Sequence, residues 1–518
     1  MRKVSIYDST LRDGAQSEGI SFSVVDKLKI VEALDNLGVD YIEAGNPSSN
    51  IKDLEFFEEV KKIKLKNSKL VAFGSTRKKL IKPQEDISLT SLLNANTNTV
   101  CIFGKTHEFH VLNILNTTLE ENLLMIKDTI LYLKSNNREV FFDAEHFFDG
   151  YKSNSSYALN CLKTAQEAGA SVIILCDTNG GTLGDELVKI IKEVKKHVSV
   201  MIGIHTHNDI NMAVANSILA VSLGVDHVQG TYLGIGERTG NANLSSIVPT
   251  LMLKMNIETK VDLSLLTETA INIAGICNMN LPNNMPYVGK SAFTHKAGMH
   301  IDGVLKSSKS FEHIDPSIVG NSRRFLVSEV AGRGTILRKL LKYGLNLTKD
   351  DERVVGLINK IKELEYEGYQ FEEAEGSFAL LIYKEFGLYK KFFNLDHYKV
   401  IGENGLLDSA IIKINVGDKD EIVAAQGEGQ VGALDKALRK CIELFYPQVK
   451  DIVLIDYKVR ILNGNYGTEA ITRVLVTSTD GKNTWTTIGV SSDIIEASFI
   501  AIVDSIEYKL HNIEEKGE

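Results

Sequence analysis

The sequence predicts an α/β protein. Its first half reads as a (β/α)8 TIM barrel, followed by a mostly helical linker or lid region and a C-terminal α+β domain. Three observations predict this. Short β-rich runs alternate with amphipathic helical stretches eight times in about 260 residues. Polar residues gather where those runs end. The character of the chain then changes near residue 258 and again near residue 376. A chain of 518 residues exceeds what one core supports. The expected domains are therefore 1–258, 259–375 and 376–518.

The strand candidates, in order, are KVSIYD (3–8), VDYIEAG (39–45), KLVAFGS (69–75), NTVCIFG (98–104), EVFFDAEH (139–146), SVIILCD (171–177), VMIGIHTH (200–207) and DHVQGTY (226–232). Helical patterns fill the gaps. SVVDKLKIVEALDNLG (23–38) is the clearest: Ser23 suits an N-cap, Leu28, Val31 and Leu34 form an apolar stripe, and Gly38 follows the end. The eighth helix falls at about 243–256. Residues 260–374 read as mostly helical, broken by the loop LPNNMPYVGKSAFTHKAGMHIDG (281–303). Beyond 376 the chain is β-rich. The segments 409–445 and 469–506 lie side by side as one βββα unit used twice.

Bulk properties narrow the function. Hydrophobic residues make up 43% and charged residues 24%, with a net charge of −9. That composition disfavours a nucleic-acid or membrane partner and fits a protein of small molecules. The five scattered cysteines form no C-x-x-C pair, so they read as reduced thiols of a cytoplasmic protein. The opening MRKVSIYDSTLRDG does not read as a signal peptide, and no apolar run reaches the length of a membrane span.

The chemistry concentrates at the strand ends, where barrels of this kind hold their sites. Arg12 and Asp13 follow the first strand, Glu43 ends the second and Arg77 follows the third. Asp143, Glu145 and His146 end the fifth, Asp177 and Thr178 the sixth, and His205 and His207 the seventh. Residues two apart on a strand share a face, so the imidazoles of IHTH converge. With Asp13 they form a carboxylate and two-imidazole set for a divalent ion such as Mg, Mn, Zn or Co. Flanking Asn208 and Asp209 add polarity, and Asn241 or Asn243 of GIGERTGNAN (234–243) could reach the ion, while Glu237 and Arg238 could lock that loop. That segment lacks the context of a dinucleotide fingerprint. Arg12 suits a substrate carboxylate or oxyanion. Glu145 suits a general base or its orienter, with a structural ion pair as the competing reading. Thr178 suits a hydrogen bond to a carboxylate. His300 reads as a proton shuttle or an ordinary loop histidine, with His295 and Asp302 near it in sequence.

Together, DSTLRDGAQ, HTHND, GIGERTGNA, HKAGMHIDG and EHIDPSIVGN resemble the 2-isopropylmalate, homocitrate and citramalate synthases, Claisen-type members of the metal-dependent TIM-barrel lyases. The resemblance extends to GYQFEEAEGSFALLI (368–382) and to the C-terminal repeat. DGAQSEGISFSVVDKL, VAFGSTRKK and DAEHFFDGYK are most similar to the citramalate-forming members. What this resemblance implies is specific. The metal ligands would be Asp13, His205, His207 and Asn241. The substrate contacts would be Arg12 and Thr178, and the catalytic residues Arg12, Glu145 and His300. The substrates would be acetyl-CoA and pyruvate, joined by a metal-dependent condensation with thioester hydrolysis. The C-terminal domain would bind an amino-acid effector, isoleucine ahead of leucine, in a homodimer. Lys290, Arg323 and Arg324 are candidate CoA contacts. Three positions depart from the family pattern: Ser9 where Thr is common, AGR (331–333) where SGR is common, and Phe311 where Tyr is common. The rival readings are a 2-isopropylmalate synthase acting on 2-oxoisovalerate and an amino-acid-binding regulator with an inactive barrel.

Overall fold

The computed structural model describes residues 2–49, 51–326, 333–348, 350–402, 404–462 and 470–516. Residues 331 and 332 of the AGR segment and Glu469 at the head of the second repeat lie outside the described residues. The chain divides into two compact units: residues 1–293 with 314–323, and residues 294–313 with 324–518.

In the first unit eight parallel strands close into a barrel: β1 (Ser5–Asp8), β2 (Tyr41–Gly45), β3 (Lys69–Ser75), β4 (Thr99–Lys105), β5 (Glu139–Glu145), β6 (Val172–Asp177), β7 (Met201–Thr206) and β8 (His227–Gly230). β1 pairs with β8, Ser5 opposite His227 through Asp8 opposite Gly230, and this closes the ring. The helices between the strands are α1 (Val24–Leu37), α2 (Ile51–Glu59), α3 (Ile87–Asn94), α4 (Leu119–Ser135), α5 (Phe147–Ser153), α6 (Ser155–Ala168), α7 (Gly184–His197) and α8 (Ala213–Ser222). α9 (Leu244–Lys254) follows β8, and α10 (Leu266–Ile276) packs on α1. The eight expected strands are all present.

Local chemistry explains the boundaries. Ser23 and Asp26 cap each other's backbone at the start of α1, and Gly38 ends the helix in the left-handed region at φ 95°. Such a cap contributes roughly 1 kcal/mol. β8 is shorter than DHVQGTY because the chain leaves the sheet at Gly230. A Cβ there would lie 2.4 Å from the Ala242 carbonyl oxygen. Strand residues facing outward join the helices in the main core, while Tyr7, Val71, Phe73, Cys101, Phe141, Val172, Ile174 and Cys176 fill the barrel interior.

The second unit begins where a loop was expected. Within 281–303, Thr294–His295 form strand β9, paired in parallel with β10 (Arg324–Phe325), and helix α11 (Gly298–Lys306) carries His300. Apolar burial of Ile301 and Val304 holds that helix down. Next come α12 (Arg333–Leu341), α13 (Glu352–Glu367) and α14 (Glu375–Glu385). Then the βββα unit occurs twice. Strands β11 (Asn394–Ile401), β12 (Asp408–Val416) and β13 (Lys419–Gly427) precede α15 (Gln430–Glu443). Strands β14 (Val453–Ile461), β15 (Thr472–Thr479) and β16 (Thr484–Ser491) precede α16 (Ile494–Lys516). Both sheets are antiparallel, and each first strand carries a bulge near its start, at Leu395/His397 and at Leu454/Asp456. Each helix covers the alternating apolar face beneath it: Ala410, Ile412 and Ile414 in one copy, Val474 and Val476 in the other. Among the described residues, no helix is long and apolar enough to cross a membrane.

Candidate active site

After β1 the backbone winds tightly: the N–H groups of Arg12, Asp13 and Gly14 all donate to the Ser9 carbonyl. This turn buries the Asp13 carboxylate at the barrel mouth. Alternation along β7 points His205 and then His207 at it. Their Nε2 atoms lie 3.4 and 3.9 Å from Asp13 Oδ2. The ligand atoms of the three side chains all fall within 4.8 Å of one another. Asn241 bridges to His207 through the backbone. Its amide nitrogen packs so closely on Gly236 that a Cβ there would lie 2.1 Å away. Asp13 Oδ1 and Asn241 Oδ1 are buried with no hydrogen-bond partner among the described residues. One carboxylate and two imidazoles that converge in this way, with the unpartnered Asn241 Oδ1 on the chain bridged to His207, fit a divalent cation.

The electrostatics agree. Burial alone would raise the Asp13 carboxyl, yet Arg12 and the two imidazoles hold it well below the usual carboxylate range. Burial also opposes a charge on His205, but Asp13 raises it on balance. His207 is pushed down to about 4 by burial and by His205.

Arg12 is gripped on three sides. Its Nε donates to Glu43 Oε2 at 2.6 Å, its Nη1 to Asp13 Oδ2 at 3.1 Å, and its guanidinium lies 3.9 Å from the centre of the Phe73 ring. Tyr7 donates to the other oxygen of Glu43 at 2.7 Å. Glu43, Cys101 and Asp143 form a second tight buried group. Both oxygens of Glu43 are already occupied and Arg12 stands beside them, so this group is a hydrogen-bonded support. Asp143 accepts from Cys101 Sγ at 3.2 Å and from Gln229 Nε2 at 3.1 Å. Burial pushes its carboxyl up to about 6.

Glu145, one turn of the pleat above Asp143, forms an ion pair with Lys105 from the register-matched position of β4. Thr178 Oγ accepts from the His146 backbone N–H at 2.9 Å, so its own proton is free to be donated. His146 sits in the left-handed region at φ 57° and stacks on His110 at 4.0 Å. His300 belongs to the second unit, where its ring stacks on Phe311 with centroids 4.1 Å apart. Phe311 thus supplies a stacking face at the position where the hydroxyl of a Tyr is absent. Asp302 is paired with Lys306, and His295 contacts Glu312 at 3.1 Å.

Several polar residues at the strand ends do other work. Arg77 binds Glu121 and Asp128 of α4. Asp177 anchors Thr182, and Asn243 caps α9. Asp209 holds Arg238, which also donates to the Thr178 carbonyl and ties two mouth loops together. Asn208 accepts from the Ala213 backbone. Sequence reasoning missed Lys105 and Gln229. Strict alternation along VCIFGK puts Lys105 on the inward face with Cys101 and Phe103, and that was the available signal.

The HMGL-like family model matches residues 3–273, which hold this barrel and its mouth, and the chain belongs to that family, in the group of the (R)-citramalate synthases. Along its whole length it is 52% identical to the (R)-citramalate synthase of Aquifex aeolicus, covering 99% of both chains. It is 48% identical to that of Geobacter sulfurreducens, again over 99% of both chains. A probable 2-isopropylmalate synthase of Archaeoglobus fulgidus is 30% identical over 98% of both chains. Residues 287–368 match a homocitrate synthase post-HMGL domain-like model, and residues 372–510 match a LeuA allosteric (dimerisation) domain.

Proposed function

We propose that this chain condenses acetyl-CoA with pyruvate and hydrolyses the thioester, releasing (R)-citramalate and CoA for isoleucine synthesis. Full-length similarity to (R)-citramalate synthases at about half identity carries this reading. Asp13, His205, His207 and Asn241 would hold the divalent cation, whether Mg, Mn, Zn or Co. When bound, the ion supplies Lewis-acid polarisation of the ketone. Arg12, fixed by Glu43 and Phe73, has N–H groups left for the oxygens of the oxo acid. Thr178 donates its free proton to the carboxylate. His300 and Glu145 are assigned to the proton taken from the acetyl methyl, with Lys105 orienting Glu145. The methyl carbon then bonds to the ketone carbon and the ketone oxygen takes a proton. Water adds to the thioester carbonyl and the CoA thiol leaves.

The C-terminal domain is assigned an amino-acid effector, isoleucine ahead of leucine, and a homodimeric assembly. The match to an allosteric (dimerisation) domain supports an effector site and a dimer. The five cysteines are buried and unpaired, which supports a cytoplasmic setting. The test is thiol release from acetyl-CoA with Mn²⁺ and, in parallel, pyruvate, 2-oxoisovalerate and 2-oxoglutarate. Preference for pyruvate is expected. Preference for 2-oxoisovalerate would move the chain to the 2-isopropylmalate reaction, named for a relative at 30% identity.

A further inference from the structure

His205 is linked to the barrel interior by a chain of three hydrogen bonds. Its Nδ1 lies 3.1 Å from Gln229 Oε1. Gln229 Nε2 donates to Asp143 Oδ1 at 3.1 Å. The Cys101 thiol donates to the same oxygen at 3.2 Å. Gln229 is fully buried, on the strand next to β7, and directly opposite His205 in the register.

The directions of these bonds follow from the chemistry of the groups. A carboxylate can only accept. Asp143 therefore selects the NH₂ end of the Gln229 amide, and the thiol on the same oxygen reinforces that choice. The carbonyl end of Gln229 is then left facing the imidazole. A carbonyl also only accepts, so His205 Nδ1 must carry a proton. The lone pair available to a cation is thus on Nε2, the nitrogen that faces Asp13.

We propose that Gln229, oriented by Asp143, is a positioning residue that fixes the tautomer and ring plane of His205 for metal binding. The inference rests on the reading of Asp13, His205 and His207 as a metal site. It gives Asp143 a task distinct from that of Glu145 two residues on. The donor end of the relay reaches β4 through Cys101, so four strands contribute to one ligand's geometry.

Calorimetric titration of the chelator-stripped full chain with Mn²⁺ tests this without reference to turnover. Outer partners of ligand histidines typically carry about 10- to 100-fold in metal affinity. Gln229→Leu is expected to weaken Mn²⁺ binding by that order. Gln229→Glu, which in its protonated form offers the same acceptor and donor, is expected to stay within about threefold of the parent. Two results would overturn the proposal: Gln229→Leu binding like the parent, or Gln229→Glu binding as weakly as Gln229→Leu. Should Gln229→Leu not fold, Asp143→Asn serves instead, because it lets the amide turn over. A severalfold loss supports the relay, and unchanged affinity refutes it. A parent that binds no Mn²⁺, or a His207→Ala variant that binds like the parent, would refute the metal reading itself rather than the relay.

Discussion

Two buried histidines on neighbouring strands have opposite characters. His227, on β8, is packed among Tyr7, Tyr41 and Phe141, with the Tyr7 and Phe141 ring centroids 5.4 Å away. Its Nε2 has no hydrogen-bond partner among the described residues, and burial pushes it down to about 3. His205, on β7, meets a carboxylate on one nitrogen and a glutamine carbonyl on the other. Burial is nearly equal, at 1% and 4% exposed, so burial cannot be what separates them. The partners are. The layer around His227 is packing, and the layer around His205 is a hydrogen-bonded polar network.

Substitutions in the two layers should have very different effects. The largest effect is expected at the polar layer: His205→Ala should lower metal-dependent turnover by roughly 10³-fold or more, read as thiol release at saturating Mn²⁺. His300→Ala should lower kcat by about 10²- to 10⁴-fold while the KM for the oxo acid changes little. A matched rise in KM would instead assign His300 to binding. Lys105→Met should cost roughly 10- to 100-fold in kcat, since Glu145 loses the cation that orients it. At the packing layer the same kind of change should do little. His227→Phe should keep turnover within about twofold and change stability by less than about 1.5 kcal/mol.

The pH dependence gives the smallest and most specific effect. The folded His227 sits near 3, below the ordinary value of 6.5. Between those values the unfolded chain takes up a proton that the folded chain refuses. Stability therefore falls as pH drops below about 6.5, with a limiting slope from this one group of about 1.4 kcal/mol per pH unit. His227→Phe should flatten the fall in Tm between pH 7.5 and 5. An unchanged slope would mean that His227 titrates freely.

Much of this was legible in the sequence because two periodicities rarely mislead. The eight strands, the Ser23 and Gly38 boundaries and the shared face of His205 and His207 follow from alternation and capping, and Asp13 lies near them because β1 and β8 close the ring. What alternation gives is a face, not a partner. It put Arg77 at the mouth, where its ion pairs turn it to α4. It gave no sign that Gln229 stands opposite His205, because that needs the register between β7 and β8. The Pro- and Gly-bearing stretch 281–303 read as loop throughout, yet Ile301 and Val304 supply enough apolar burial to seat a helix there. The repeated βββα unit was readable because each sheet keeps one buried face.

Asp13, His205 and His207 stand at the centre of the proposed metal-dependent condensation at the barrel mouth. The most direct measurement takes the chelator-stripped chain with acetyl-CoA and pyruvate and follows thiol release and citramalate before and after adding Mn²⁺. Background rates are expected without the ion, full recovery with it in the parent, and no recovery in His207→Ala. Full turnover in excess chelator, or recovery of His207→Ala to the parent rate, would contradict it.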